Sequence, residues 1–247
     1  MADQFSRTRL LVGDEPLARL AAAKVAVFGV GGVGGFCVEA LARAGVGTLH
    51  LYDDDTVSES NLNRQIVALH STIGQPKAEV MARRVLDINP ACQVKVFRMF
   101  YLPENADQVD LSQYDYVVDC IDTVAAKLDL VERCTTLQVP ILSAMGSGNK
   151  LDPTAFRVTD LSKTQGCPLA RVMRKELRKR GITHLKVVYS TEEPLTPLQP
   201  AEEEAPAGTD TRPRSTARRA IPGSISFVPA AAGLVAASAV IRDLGGF

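Results

Sequence analysis

The sequence predicts an α/β protein with a Rossmann-like, mostly parallel sheet and helices on both faces. Short apolar runs that are typical of buried strands alternate with stretches of helical periodicity between residues 24 and 144. A glycine-rich turn directly follows the first of these runs. Hydrophobic residues make up 46% of the 247 residues, enough for a sizeable core in one large domain. We expect the C-terminal part to add further strands and a helix.

The expected elements follow a polar arm over residues 1–20. Strands are predicted over residues 24–30, 48–53, 93–99, 116–120, 140–144, 156–159 and 186–189. Helices are predicted from the glycine-rich turn to residue 44 and over residues 59–69, 75–88, 124–137 and 169–180. Asn89-Pro90 is a stop signal for the helix over 75–88.

One apolar stretch near the C-terminus is long enough to cross a bilayer, because no charged residue occurs between Arg219 and Arg242. The stretch nevertheless contains two prolines, two glycines and many alanines. We therefore expect a short buried strand over residues 224–228 and a small-residue helix over 230–244, with no stable membrane insertion.

Residues 191–220 have the composition of a linker. They contain five prolines, a run of three glutamates and four arginines, with few apolar residues to order them. We expect a mobile excursion from the domain.

Whole-chain composition excludes several classes of protein. The 28 Lys and Arg residues balance 28 Asp and Glu residues, so affinity for nucleic acid must come from a local patch. Five cysteines without CxxC spacing argue against a disulfide scaffold or a tetrathiolate zinc site. The cysteine pattern favours a reducing, cytoplasmic location.

The glycine-rich turn predicts a nucleotide site. Residues 29–35 read Gly-Val-Gly-Gly-Val-Gly-Gly and open a helix, so the backbone can approach a phosphate while helix amides face its charge. Asp53 ends the second strand, where a carboxylate can accept hydrogen bonds from a ribose. The pattern alone leaves NAD and ATP open. The candidate nucleotide-binding glycines are Gly29, Gly31, Gly32 and Gly34.

Polar residues downstream favour ATP. Asn61, Arg64 and Gln65 are predicted on consecutive turns of one short helix, and Lys77 follows in Gly-Gln-Pro-Lys. Their cations suit a triphosphate, whereas a neutral nicotinamide needs none. Asp122 follows the fourth strand, where it can hold Mg²⁺. Surface charge for Arg64 and Lys77, or a helix N-cap for Asp122, would explain each residue alone, but together they indicate ATP.

Four motifs make residues 5–160 resemble the ubiquitin-activating-enzyme-like adenylyltransferases. They are the glycine turn, the strand-end aspartate with Asp-x-Val-x-x-Ser-Asn-Leu-Asn-Arg-Gln, Gly-Gln-Pro-Lys and Asp-Cys-Ile-Asp. The resemblance implies a single adenylation domain over residues 1–247. Residues 1–160 would be its ATP-binding half and residues 161–247 its substrate-side half.

The resemblance also implies roles for individual residues. Gly31 and Gly34 would line the phosphate loop, and Asp53 would hold the ribose. Asn61, Arg64 and Lys77 would contact phosphates, and Asp122 would coordinate magnesium. The other candidate cofactor-binding residues are Gly29, Gly32, Asp55 and Gln65.

The N-terminal arm adds a candidate from outside the nucleotide half. Phe5-Ser6-Arg7 resembles the arm of this family, whose arginine reaches the ATP of the partner subunit. We assign Arg7 to that role, with Arg9 as the substitute and a solvated terminal arginine as the alternative. The resemblance implies a homodimer. The candidate catalytic residues are Arg7, Arg64, Lys77 and Asp122.

The second half departs from the sulfur-carrier activators of this family, because it lacks their paired CxxC zinc motifs. Its segments are similar to the branch that dehydrates threonylcarbamoyladenosine in tRNA. This similarity implies a ligase-type enzyme that uses ATP to activate a carboxylate as an acyl-adenylate. The segments that carry it are residues 144–154, 158–161, 168–170, 188–192 and 222–227.

Residues 163–186 hold eight basic residues opposed only by Glu176, which predicts a patch for tRNA phosphates. A solvated helix face is the alternative explanation. Cys167 is the one cysteine outside the nucleotide half; we expect no thioester role for it, and we expect Cys120 in the core.

Three rival functions remain at this point: an activator of a ubiquitin-like or sulfur-carrier protein, an NAD(P) oxidoreductase and a non-catalytic ATP-binding scaffold. The sequence also leaves open a monovalent cation site, a cysteine desulfurase or sulfur-acceptor partner, and the role of residues 191–220.

Overall fold

The computed structural model describes residues 3–198 and 222–247. Seven strands form one sheet in the order β3-β2-β1-β4-β5-β7-β6, and all neighbouring pairs are parallel except β6 with β7. This architecture confirms the predicted α/β class. The strands are β1 (Lys24–Phe28), β2 (Thr48–Tyr52), β3 (Gln93–Phe97), β4 (Tyr116–Asp119), β5 (Ile141–Ala144), β6 (Phe156–Asp160) and β7 (Lys186–Ser190).

The helices cover both faces of the sheet because successive strand residues point in opposite directions. Val25 and Val27 of β1 pack in a core shared with α3, α4 and α7, whereas Ala26 and Phe28 pack with α5. The helix α6 packs beside α5 near β7. The helices are α1 (Ser6–Val12), α2 (Asp14–Ala22), α3 (Gly34–Ala44), α4 (Lys77–Ile88), α5 (Val124–Leu137), α6 (Pro168–Lys179) and α7 (Phe227–Gly245).

The helix predicted over residues 59–69 is wrong. A 3₁₀ turn spans only Glu59–Asn61, and turns follow it. The Asn61 side chain accepts a hydrogen bond from the backbone N–H of Ser58 at 3.2 Å, which caps the turn. Asn61, Arg64 and Gln65 therefore lie on successive turns that do not form one helix.

Two further expectations need correction. The polar arm contains the helices α1 and α2, which meet at Gly13. The strand predicted over residues 224–228 is absent from the described chain, because α7 already begins at Phe227 and residues 222–225 pair with no strand. Most of the linker-like stretch, residues 199–221 with their four arginines, lies outside the described residues.

The helix α7 confirms the predicted small-residue helix. Its length and apolarity would allow a membrane crossing, but here it packs against α3 and α2. A Cβ on Gly233 would lie 2.3 Å from the carbonyl oxygen of Val33. The glycine thus brings α7 into close contact with the first residues of α3. The division of the chain into two halves stays a prediction.

Candidate active site

The candidate site lies where the strand order reverses direction. β1 is flanked by β2 on one side and β4 on the other, so the loops that follow β1 and β4 meet at the carboxyl edge of the sheet. Such a switch point is where open α/β sheets bind ligands. Gly29 has φ +85°, and a Cβ there would lie 2.8 Å from the carbonyl oxygen of Cys120. Only glycine fits this crossing of the two loops.

The glycine turn closes tightly onto α3. A Cβ on Gly34 would lie 1.8 Å from the carbonyl oxygen of Gly29, which no side chain could tolerate. The turn therefore leads directly into the first turn of an 11-residue helix. The positive end of the helix dipole forms an environment there that suits a phosphate.

Asp53 holds the glycine turn in place. Its Oδ2 accepts a hydrogen bond from the N–H of Val30 at 2.6 Å, and its Oδ1 accepts one from the N–H of Asp55 at 2.9 Å. Burial raises the pKa of this carboxyl group, while the Val30 bond and the nearby Lys77 charge partly oppose that rise. Each carboxylate oxygen has a further lone pair that can accept from a ribose hydroxyl.

A short antiparallel bridge between Thr56 and Pro76 places the next residue, Lys77, beside Asp55. Its ammonium group lies 2.9 Å from Asp55 Oδ2. The Lys77 side chain is 7% exposed, against 45% for Asp55. The surface-charge explanation of Lys77 is therefore wrong. The structure makes Asp55 the ion-pair partner that holds this buried cation.

Arg64 and Gln65 lie against the glycine turn. Arg64 is half-buried, and its Nη1 donates to the carbonyl of Ser60 and to Asn63 Oδ1, both at 2.8 Å. Burial lowers the pKa of the Arg64 guanidinium. A Cβ on Gly31 would be 3.8 Å from Gln65 Nε2. Among the described residues, Gln65 Oε1 is the one buried side-chain oxygen without a hydrogen-bond partner.

Asp122 is exposed in the loop between β4 and α5. The N-cap of α5 is Thr123, so Asp122 does not cap that helix. Thr123 Oγ1 donates a hydrogen bond of 3.3 Å to Asp122 Oδ1. Within residues 3–198 and 222–247, no group of three or more His, Cys, Asp or Glu side chains could hold a metal ion. Magnesium at Asp122 would therefore need phosphate and water oxygens, which are ligands it commonly takes.

Sequence reasoning missed a fully buried ion pair behind this loop. Lys127 Nζ lies 2.9 Å from Asp119 Oδ2, and neither side chain is exposed. Ser143 Oγ also donates to Asp119 Oδ2, and Lys127 Nζ donates to the carbonyl of Ala144. The available signal was the position of Lys127 on the apolar face of α5, four residues before Val131.

Arg7 lies away from the glycine turn of its own chain. The preceding Phe5 packs against Gly45 at the carboxyl end of α3, whereas the turn precedes the amino end of that helix. Those two ends are about 16 Å apart for a helix of 11 residues. Arg7 is exposed, while Arg9 is engaged by Asp3 and Asp14.

Comparison with known proteins identifies the family. The family match covers residues 5–247, nearly the whole chain. The chain belongs to the ThiF family. This ThiF family chain is 44% identical to the tRNA threonylcarbamoyladenosine dehydratase of Bacillus subtilis over 245 residues, which are 99% of the chain and 95% of the relative. The resemblance to the ubiquitin-activating-enzyme-like superfamily is thereby confirmed.

Two solved structures share the fold of this ThiF family chain. They are Escherichia coli tRNA N6-threonylcarbamoyladenosine dehydratase, TcdA, in complex with ATP and in complex with AMP. Each superposes with a TM-score of 0.85 at 35% sequence identity, covering 98% of this chain and 94% of the other. The match therefore extends through residues 161–247 as well as the glycine turn and its neighbours.

In this ThiF family chain, some basic residues of the segment 163–186 bond to other parts of the chain, and others line an open depression. Lys186 pairs with Asp243 at 2.5 Å, and Arg174 donates to the carbonyls of Leu161 and Thr164. The buried face of α6 carries Ala170, Met173 and Leu177. The opposite face borders an open depression of about 430 Å³, lined by Arg171, Arg174, Lys175, Arg178 and Lys179.

All five cysteines of this ThiF family chain are free thiols. Cys167 is 4% exposed and precedes the first residue of α6. Burial raises the pKa of the Cys120 thiol to about 12, so this thiol is protonated at neutral pH. A buried thiol is a poor acceptor for a large acyl group, so the burial of Cys167 argues against a thioester role. Cys120, expected in the core, is partly buried and packs against it.

Proposed function

We propose that this protein is an ATP-dependent dehydratase that cyclises the threonylcarbamoyl group of a modified adenosine in tRNA. The observation that carries the proposal is the similarity to tRNA threonylcarbamoyladenosine dehydratases over both halves of the chain. The segments that resemble the dehydrating branch, from residue 144 to residue 227, fall within that similarity.

The residues around the glycine turn fit ATP. The turn offers backbone amides, and Arg64 and Lys77 add cations beside it. The partnerless Gln65 Oε1 is a buried acceptor that a bound ligand could satisfy. A nicotinamide dinucleotide carries only a diphosphate, which offers these two cations less negative charge than the triphosphate of ATP. Asp53 and Asn61 complete the proposed nucleotide contacts.

Asp122 is the residue that would hold Mg²⁺. A bound magnesium ion would neutralise phosphate charge and polarise a phosphoryl oxygen. The role of Asp122 is to present a carboxylate at the carboxyl edge of the sheet. Arg64 and Lys77 would lower the repulsion between the anionic substrate carboxylate and the triphosphate.

The proposed reaction has two steps. An oxygen of the substrate carboxylate attacks the α-phosphorus of ATP, pyrophosphate leaves, and an acyl-adenylate forms. The carbamoyl oxygen of the same side chain then attacks the acyl carbon, the ring closes, and AMP leaves as the nitrogen loses a proton. The substrate supplies both nucleophiles, so no protein nucleophile is required. The chain positions the reactants and neutralises charge.

The exposed face of α6 is the proposed contact for the tRNA backbone. Arg171, Lys175 and Arg178 have no ion-pair partner within the described ranges 3–198 and 222–247. Cations spaced along one helix face suit successive phosphates. The proposal further includes a cytoplasmic homodimer, in which the exposed Arg7 reaches the ATP of the partner subunit. A monovalent cation and a sulfur-transfer partner stay open.

The decisive experiment is mass spectrometry of tRNA nucleosides. Purified protein is incubated with tRNA that contains threonylcarbamoyladenosine, with and without Mg-ATP. We expect the modified nucleoside to lose the mass of one water only when ATP is present. An unchanged mass in verified substrate would disprove the tRNA activity. In that case ATP–pyrophosphate exchange with small proteins ending in Gly-Gly would test the carrier-activating alternative.

A further inference from the structure

Two segments have no role in the proposed chemistry: residues 146–154 after β5 and residues 222–226 before α7. The structure bonds them to each other. Asn149 Oδ1 accepts a hydrogen bond from the N–H of Gly223 at 2.6 Å, and the N–H of Asn149 donates to the carbonyl of Gly223 at 2.8 Å. The carbonyl of Asn149 also accepts from the N–H of Leu195 at 2.7 Å. Asn149 thus fastens the segment that enters α7 to the loop that leaves β5.

The same segment contacts the Arg64 turn. The carbonyl of Ser224 accepts a hydrogen bond from Asn63 Nδ2 at 3.0 Å. The other end of that amide, Asn63 Oδ1, accepts from Arg64 Nη1 at 2.8 Å. A continuous hydrogen-bonded path therefore runs from Asn149 through residues 223–224 and Asn63 to the guanidinium of Arg64.

Close packing supports the path at both ends. A Cβ on Gly148 would lie 2.7 Å from Pro222 Cβ, and one on Gly32 would lie 3.2 Å from Pro229 Cβ. Asn149 has φ +59°, a left-handed conformation that asparagine adopts more readily than most residues. The segment is therefore pressed against the β5 loop, and the helix that it enters is pressed against the glycine turn.

We propose that residues 222–226 form a strut that orients Arg64, with Asn149 and Asn63 as positioning residues. The inference rests on the proposed role of Arg64 at the phosphates. An arginine side chain loses considerable rotamer freedom when it is ordered. A strut that fixes the acceptor Asn63 Oδ1 holds the Arg64 side chain in place before the reaction, so less rotamer freedom is lost in the transition state. This effect raises the rate of adenylation more than the affinity for ATP.

The test uses variants of Asn149 and Asn63. Asn149→Gly keeps the left-handed backbone and removes only the side-chain acceptor. Asn149→Asp keeps that acceptor and is the matched control. Asn63→Ala removes the contact with Arg64 as well. Steady-state adenylation gives kcat and the KM for ATP, and calorimetry gives AMP affinity.

We expect Asn149→Gly and Asn63→Ala to lower kcat about tenfold, which corresponds to the loss of one orienting hydrogen bond. The KM for ATP and the AMP affinity should stay near the wild-type values, and Asn149→Asp should retain most of the kcat. In an Arg64→Ala background, Asn149→Gly should have no further effect, because the strut acts through Arg64. An equal loss of kcat in both backgrounds would overturn the proposal.

A second measurement does not depend on turnover. The side-chain Nε–H signal of Arg64 in NMR spectra of the nucleotide-free protein should broaden or shift toward the free-arginine position in Asn149→Gly. An unchanged signal would contradict the strut even if kcat fell. If Arg64→Ala has wild-type kcat and AMP affinity, the role of Arg64 in the proposed function is wrong, and that result is separate from failure of the strut.

Discussion

Lys127 and Asp119 form an ion pair of 2.9 Å in which neither side chain reaches solvent. The pair joins the end of β4 to α5, and Lys127 also bonds the carbonyl of Ala144 at the end of β5. Asp119 Oδ1 accepts from the N–H of Ile121 at 3.1 Å. These bonds bracket the loop that carries Asp122 and contacts Gly29.

Replacing Lys127 by methionine should strongly destabilise the fold. The variant leaves the buried Asp119 carboxylate without its opposite charge, which typically costs about 3–5 kcal/mol. Urea unfolding gives this loss directly. The double variant Asp119→Leu with Lys127→Met should recover much of the stability, because an apolar pair removes both charges. A loss below about 1 kcal/mol in the single variant would contradict the burial argument.

Gly29→Ala should abolish AMP binding, whereas Gly13→Ala should not. Both glycines have positive φ, at +85° and +81°. A Cβ at Gly29 would also collide with the carbonyl of Cys120, while a Cβ at Gly13 would meet nothing within 4 Å. Calorimetric titration of each variant with AMP separates backbone strain from the collision. Equal AMP affinities in the two variants would show that the collision is relieved without cost.

Asp122→Asn should lower the rate of adenylation about 10²-fold or more at fixed Mg²⁺. The exposed Asp87→Asn on α4 is the control and should leave the rate unchanged. If Asp122 holds the ion, raising the Mg²⁺ concentration should partly restore the rate of Asp122→Asn. A rate near wild type at every Mg²⁺ concentration would remove Asp122 from the site.

Arg171→Glu with Arg178→Glu should weaken tRNA binding and flatten its salt dependence, because fewer phosphates are neutralised. Their AMP affinity should match that of the wild type, since α6 lies outside the proposed nucleotide contacts. Arg19→Glu on α2, an exposed arginine paired with Glu15, is the control. Filter binding across a salt series measures both slopes. Unchanged tRNA affinity would show that the cations on α6 do not bind tRNA.

Short sequence patterns predicted the structure correctly where the local backbone conformation admits few residue types. The positive φ of Gly29 and the end of α4 before Asn89-Pro90 follow from short-range patterns, and the α/β class is confirmed. The helix over residues 59–69 was wrong because periodicity does not register a competing side-chain bond, here the one that Asn61 Oδ1 accepts from the N–H of Ser58.

Long-range contacts could not be read from the sequence. The burial of Lys127 depends on β4, β5 and α5 meeting at one edge of the sheet. In place of the expected strand over residues 224–228, the carbonyl of Ser224 accepts from the Asn63 side chain and α7 begins at Phe227. The roles of the candidate site residues stay predictions. All of these residues except Arg7 lie near the carboxyl edge of the sheet within one chain.

The bond between Asn63 and Ser224 joins residues 161 positions apart. Closing so large a loop is entropically costly and slows the formation of contacts that depend on it. Arg64 can bond Ser60 and Asn63 within its own turn, but Asn63 gains its contact with Ser224 only after residues 222–226 have docked. Competence for the reaction is therefore a late acquisition in the folding of the chain and belongs to the whole chain.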